Sequence, residues 1–122
     1  MNYQLTSCIP MLETDNLANT IDFYSKKLGF HLIELYPNAQ FPTWANMKRE
    51  NVELMFTKHA KSSPELTNSS VYIYPTNVDA AWEEMKDCVT VEHPIESFDS
   101  GMREFVIRDC NGHILHFGKP TV

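Results

Sequence analysis

The stretch Ile21-Asp22-Phe23-Tyr24-Ser25-Lys26-Lys27-Leu28-Gly29-Phe30 decides how the rest of the chain is read. Leu17, Ile21, Tyr24 and Leu28 fall at i, i+4, i+7 and i+11, one face of a helix, and Phe23 widens that face. Gly29 follows as a C-terminal stop, where a left-handed residue is wanted. The spacing predicts a helix over about 16–28 with Thr14 or Asp15 as its cap. Ahead of it, Leu5 to Leu12 reads as a strand. Behind it come three short strand candidates: Phe30 to Tyr36, ended by Pro37-Asn38, then Phe41 to Lys48, then Val52 to Lys58. Arg49-Glu50 is the expected two-residue hairpin between the last two.

A polar loop from His59 to Asn68, holding Ser62, Ser63 and Pro64, is the expected boundary between two halves. The second half repeats the order. Val71 to Tyr74 reads as a strand, Thr76 or Asn77 as a helix start, and Val78 to Asp87 as a helix with Ala81, Trp82 and Met85 on its apolar face. Val89 to Val91 reads as a short strand and Glu92 to Ser100 as a loop. A strand from Gly101-Met102 to Arg108, the turn Asp109-Cys110-Asn111-Gly112 and a last strand from His113 to Phe117 complete it. The pattern is βαβββ twice, about 60 residues apart. It predicts an α+β domain spanning 1–122, with modules at about 5–58 and 70–118.

The IDFYSKKLGF run resembles the "FY…LGF" signature of the vicinal oxygen chelate superfamily. That superfamily includes glyoxalase I, ring-cleaving dioxygenases, fosfomycin-resistance transferases and bleomycin-resistance proteins. Arg103-Glu104-Phe105-Val106-Ile107-Arg108-Asp109-Cys110-Asn111-Gly112-His113 resembles its second signature, commonly "F…DPDGN". The run REF…RD with a His seven residues after the Asp is most similar to the bleomycin-resistance branch. The resemblance implies two βαβββ modules forming mixed sheets around a cleft, and a dimer in which halves of two chains pair.

Metal-dependent members carry one ligand on each of four strands. Carried onto this sequence, the four positions are Cys8, Glu53 in Val52-Glu53-Leu54, Ser70 and His116. Serine is a poor ligand, and a lone thiolate with one His and one Glu is an unusual set. The expectation is therefore no metal and no other cofactor, as in bleomycin-resistance proteins. Cys8, Glu53 and His116 are the ligands of the alternative, a metal-dependent lyase, isomerase or dioxygenase holding one divalent ion.

Strand alternation puts Val52, Leu54 and Phe56 on one face and Glu53 and Met55 on the other. The more apolar face packs on the helices, so Glu53 looks into the cleft, either paired with a residue such as Arg103 or waiting for a ligand. A loop at Arg49-Glu50 sets Asn46 opposite Glu53 and Trp44 opposite Met55, on that same face. Tyr72 and Tyr74 share the parity of Ser70, and His116 that of Ile114. Trp44, Asn46, Glu53, Met55, Tyr72 and His116 are the expected ligand-binding cleft, and no residue is assigned a catalytic role. Its aromatic and acidic character suits a flat aromatic or cationic ligand.

The totals set the outer bounds. The chain has 122 residues, 43% of them hydrophobic, enough for a packed core. A net charge of −6 with only 10 Lys and Arg argues against nucleic acid as a partner. Three cysteines with no C-x-x-C pair argue against a disulfide framework and fit a reduced cytoplasm. No signal peptide or apolar run of membrane-spanning length is seen. These totals predict a cytoplasmic protein, and the resemblance implies a homodimer that sequesters a small molecule without catalysis.

Overall fold

The computed structural model describes residues 2–59 and 69–121. Apart from His59, the polar loop expected to divide the halves lies outside the described residues. The elements run β1 (Met11–Thr14), α1 (Leu17–Leu28), β2 (His31–Tyr36), β3 (Trp44–Arg49), β4 (Val52–Lys58), β5 (Ser70–Ile73), α2 (Val78–Met85), β6 (Thr90–Ser97), β7 (Met102–Arg108) and β8 (Ile114–Pro120). They form two four-stranded mixed sheets, ordered β1-β4-β3-β2 and β5-β8-β7-β6. In each, the first strand pairs parallel to the last strand of its own module, β1 with β4 and β5 with β8. The helix supplies the crossover that parallel pairing requires.

Several boundaries differ from the sequence reading. The first strand begins at Met11, not Leu5. Pro10 has no N–H to give a ladder, although its carbonyl accepts from Met55 N at 2.9 Å. Asn16, rather than Thr14 or Asp15, caps α1, its side chain accepting from Asn19 N at 3.0 Å. Thr14 instead ends β1, fully buried. Gly29 closes the helix at φ 73°, as a left-handed C-cap must. Asn77 caps α2, which stops at Met85 instead of Asp87. The segment read as a short strand and a loop over 89–100 contains the eight-residue β6. Pro94 and register breaks between Val91 and Glu96 hid it. Being the edge of its sheet, β6 tolerates both.

The β3–β4 hairpin turns one residue later than expected. Arg49 pairs with Val52, leaving Glu50 and Asn51 in the loop with Glu50 at φ 47°. Moving the turn by one residue moves each cross-strand partner by two, so the side chains keep their faces but change opposite numbers. Asn46 faces Met55, Lys48 faces Glu53 and Trp44 faces Thr57.

One core cluster serves both modules. Ala45, Met47, Leu54 and Phe56 of the first sheet join Ile73, Phe105, Ile107, Leu115 and Phe117 of the second, together with Leu17, Tyr24 and Leu28 of α1 and Met85 of α2. Each fully buried side chain of this size contributes ~1.5–3 kcal/mol. The modules thus pack through their helix-covered faces, and the opposite faces of both sheets are left outward.

The seam is polar as well as apolar, and it joins the two signature runs. Tyr24, fully buried, donates from its hydroxyl to Asp109 Oδ2 at 2.6 Å. The other Asp109 oxygen accepts from Asn111 N and His113 N, both at 2.8 Å, which shapes the turn. Burial, and then the Asp109 charge, push the Tyr24 phenol well above its ordinary pKa. Thr14, Thr20 and Asn111 bond to one another beside it. His113, also fully buried, accepts from Ser69 N on Nδ1 at 3.1 Å and donates from Nε2 to Glu13 O at 2.7 Å.

Candidate functional site

The expected cleft residues fall into two groups on two sheets. On the outer face of the first sheet, Trp44, Asn46 and Lys48 of β3 lie beside Glu53, Met55 and Thr57 of β4. Glu34 and Tyr36 of β2 extend the same face, directly opposite Asn46 and Trp44. Asn46 is 9% exposed, whereas Trp44, Glu53 and Met55 are half-buried. Asn46 Nδ2 donates to Glu53 Oε1 at 3.1 Å. Glu53 therefore does not take Arg103, the partner named from the sequence. Arg103 is bound to Asp79, Nη2 to Oδ1 at 2.8 Å, with Nε on the same carboxylate.

On the outer face of the second sheet, Tyr72 of β5 lies opposite His116 of β8. Their rings stack with centroids 5.6 Å apart and an interplanar angle of 7°. Tyr74 continues the ladder, 4.9 Å from Tyr72. Tyr72 donates its hydroxyl to Glu104 Oε2 at 2.5 Å. Its phenol pKa is pushed up to about 12 by desolvation first and by the Glu104 hydrogen bond and charge next. Gly118 makes room for this bond: a Cβ there would stand 2.1 Å from the Tyr72 hydroxyl oxygen. Glu104 was not among the residues singled out from the sequence. Its signal lies in the alternation of β7, where the buried Phe105 and Ile107 turn Glu104 and Val106 to the other face.

Two cavities open elsewhere. One, of about 460 Å³, sits at the seam over an apolar floor of Leu28, Phe30, Ile73, Met85 and Phe117. At its rim Arg49 donates to Leu28 O at 2.7 Å and lies 3.5 Å from Glu84. The other, of about 400 Å³, lies between Phe23, Lys27, Arg108 and Cys110. None of Trp44, Asn46, Glu53, Met55, Tyr72 and His116 lines either one.

 The six expected cleft residues stand instead on the outer faces of the two sheets.

Within one chain, the metal positions do not come together among the described residues. Cys8 is exposed and precedes β1, so no ladder fixes its direction. Glu53 is engaged by Asn46, and Ser70 offers only a hydroxyl. Among the described residues, no three His, Cys, Asp or Glu side chains come close enough to hold an ion. His116 Nδ1 is buried without a hydrogen-bond partner among the described residues.

The model of the Glyoxalase/Bleomycin resistance protein/Dioxygenase superfamily matches residues 10–117, almost the whole chain. The chain belongs to this superfamily. Its fold is shared by several solved structures. TioX from Micromonospora sp. ML1 superposes with a TM-score of 0.81 at 16% identity, over 94% of this chain and 98% of that one. The bleomycin-binding protein of Streptomyces verticillus, solved with copper(II)-bleomycin, gives 0.75 at 22%, over 94% and 96%. Lactoylglutathione lyase from Agrobacterium tumefaciens gives 0.73 at 17%, over 95% and 95%. No curated protein sequence matches the chain. A binder and a lyase on one scaffold leave function to the site residues. Among the described residues, no helix is long and apolar enough to cross a membrane.

Proposed function

We propose that this superfamily member binds a small aromatic or cationic molecule in a cleft shared by two copies of the chain, and holds it without transforming it or using a metal. One observation carries the reading. Each outer sheet face carries both a carboxylate and aromatic rings: Glu53 shares the first sheet's face with Trp44 and Tyr36, Glu104 accepts from the Tyr72 hydroxyl, and neither carboxylate has an ion-pair partner among the described residues. Asp22, Asp79, Glu83 and Glu92, by contrast, are paired with Lys or Arg. An acid held by neutral donors beside π faces attracts a cation by charge and by the ring quadrupole. Two such faces, brought together from two chains, enclose a cleft that one chain leaves open. The likeness to a bleomycin-binding protein fits a binder, and the charge of −6 favours cations.

The test is titration with a planar aromatic cation such as thioflavin T, followed by quenching of Trp44 in a Trp82→Phe background. Trp82 packs on Phe105 and reports the core instead. Saturable quenching, weakened by Glu53→Gln, with the dye recovered unchanged, is the expected result. Stoichiometric uptake of Ni, Zn, Mn or Fe, lost in Glu53→Gln or His116→Ala, would replace the binder with a metal-dependent enzyme.

A further inference from the structure

From the geometry around Asn46 we infer that the first sheet's face selects a cation bearing N–H donors, an amidinium or guanidinium on an aromatic frame, over a cation without them. This rests on the binding role proposed above and gives its ligand a chemical class. Glu53 can only accept, so the Asn46 amide must present Nδ2 to it, which fixes Oδ1 on the other side. That oxygen is buried and has no hydrogen-bond partner among the described residues. A buried acceptor left unpaired is costly, and a ligand that supplies a donor recovers the loss.

The surroundings decide which donor fits. Glu34 lies directly across from Asn46 on β2, and Glu53 sits diagonally across on β4. The neighbouring row on the same face holds Tyr36 and Trp44. Asn46 Oδ1 is thus an acceptor between two carboxylates with aromatic rings alongside. Lys48, opposite Glu53, and His31, opposite Lys48, are the cationic or titratable groups on this part of the face. Neither forms an ion pair there among the described residues. An anion would meet three acceptors and is refused. A quaternary ammonium satisfies the charges but leaves Oδ1 unpaired. A planar amidinium satisfies both, with adjacent N–H groups for Oδ1 and a carboxylate. Met55, directly opposite Asn46 and half-buried, is a flexible neighbour that can give way to a ligand.

The experiment compares two fluorescent planar cations: 4′,6-diamidino-2-phenylindole, whose amidines donate, and thioflavin T, which has no N–H. Binding is measured to the wild type, to Asn46→Leu and to Glu53→Gln, each checked for an unchanged melting transition. The wild type should prefer the diamidine. Asn46→Leu should weaken it about tenfold, the share of one charge-assisted hydrogen bond, and change thioflavin T less than about twofold. Glu53→Gln, which keeps shape and removes charge, should weaken both. Equal losses for the two dyes in Asn46→Leu, or no wild-type preference, would overturn donor selection and leave the binding role standing. If neither dye binds, the binding role fails and this inference with it.

Discussion

Removing one oxygen atom at the seam should cost more than any surface change. In Tyr24→Phe the ring keeps its place against Phe30 and Phe56, with centroids 5.7 and 4.7 Å away, so the apolar packing is retained. What disappears is the 2.6 Å hydrogen bond to Asp109 Oδ2, between groups 0% and 6% exposed. A hydrogen bond to a charged group is worth about 1.5–3 kcal/mol, and water cannot easily replace the hydroxyl. At about 2.1 cal/mol/K per residue, 122 residues turn that loss into a fall in Tm of roughly 6–12 °C. The assay is urea and thermal unfolding of Tyr24→Phe, Asp109→Asn and the double variant. Asp109→Asn keeps an oxygen for the backbone donors of the turn and removes the charge. The double-mutant cycle should show a coupling above about 1 kcal/mol. A loss within about 0.5 kcal/mol for Tyr24→Phe, or additive single effects, would refute the claim that this bond ties the two modules.

Other consequences are open to measurement. In Gly118→Ala the new methyl drives the Tyr72 ring off Glu104; because Tyr72 is 37% exposed it can swing away, so stability should fall by no more than about 1 kcal/mol while dye affinity drops. In alkaline titration followed at 295 nm, Tyr72 should ionise near pH 12, and in Glu104→Gln earlier, since the bond and charge of Glu104 are removed while desolvation remains. The folded-state values of Tyr24 and Tyr72 lie above their unfolded ones, so their contribution to stability is complete below about pH 10 and is lost as pH rises through the folded values. Urea midpoints measured from pH 9 to 12 should fall, and fall less in Tyr24→Phe. Asn16→Ala and Asn77→Ala should each cost ~1 kcal/mol through loss of an N-cap, measured by urea unfolding.

The fold was legible because its signals are local. The apolar stripe of α1, Gly29 behind it and the Asp109–Gly112 turn depend on neighbours a few residues away. The faces of β3 and β4 were legible for the same reason, since alternation survives a shifted turn. The partners of Asn46, Glu53 and Arg103 were not, because one residue in the loop moves every pairing by two, and Asp79 reaches Arg103 from another element. β6 was hidden by Pro94 and bulges that only its edge position makes tolerable. His113 read as the first residue of the last strand, yet it bonds across the seam to Ser69 and Glu13. Such a contact joins residues 100 apart in the chain and leaves no local pattern.

A cleft shared by two chains is the core of the functional account, and mixed dimers test it directly. Trp44→Ala damages the first-module face and Tyr72→Ala the second-module face. Dimers of either variant alone should lose dye binding. A dimer holding one chain of each should recover one intact site, formed by Trp44 of the Tyr72→Ala chain and Tyr72 of the Trp44→Ala chain. Recovery of that site, read by dye titration of the purified mixed dimer, is the predicted result. A mixed dimer that binds no better than its parents, or a chain that binds the dye as a monomer, would contradict the account.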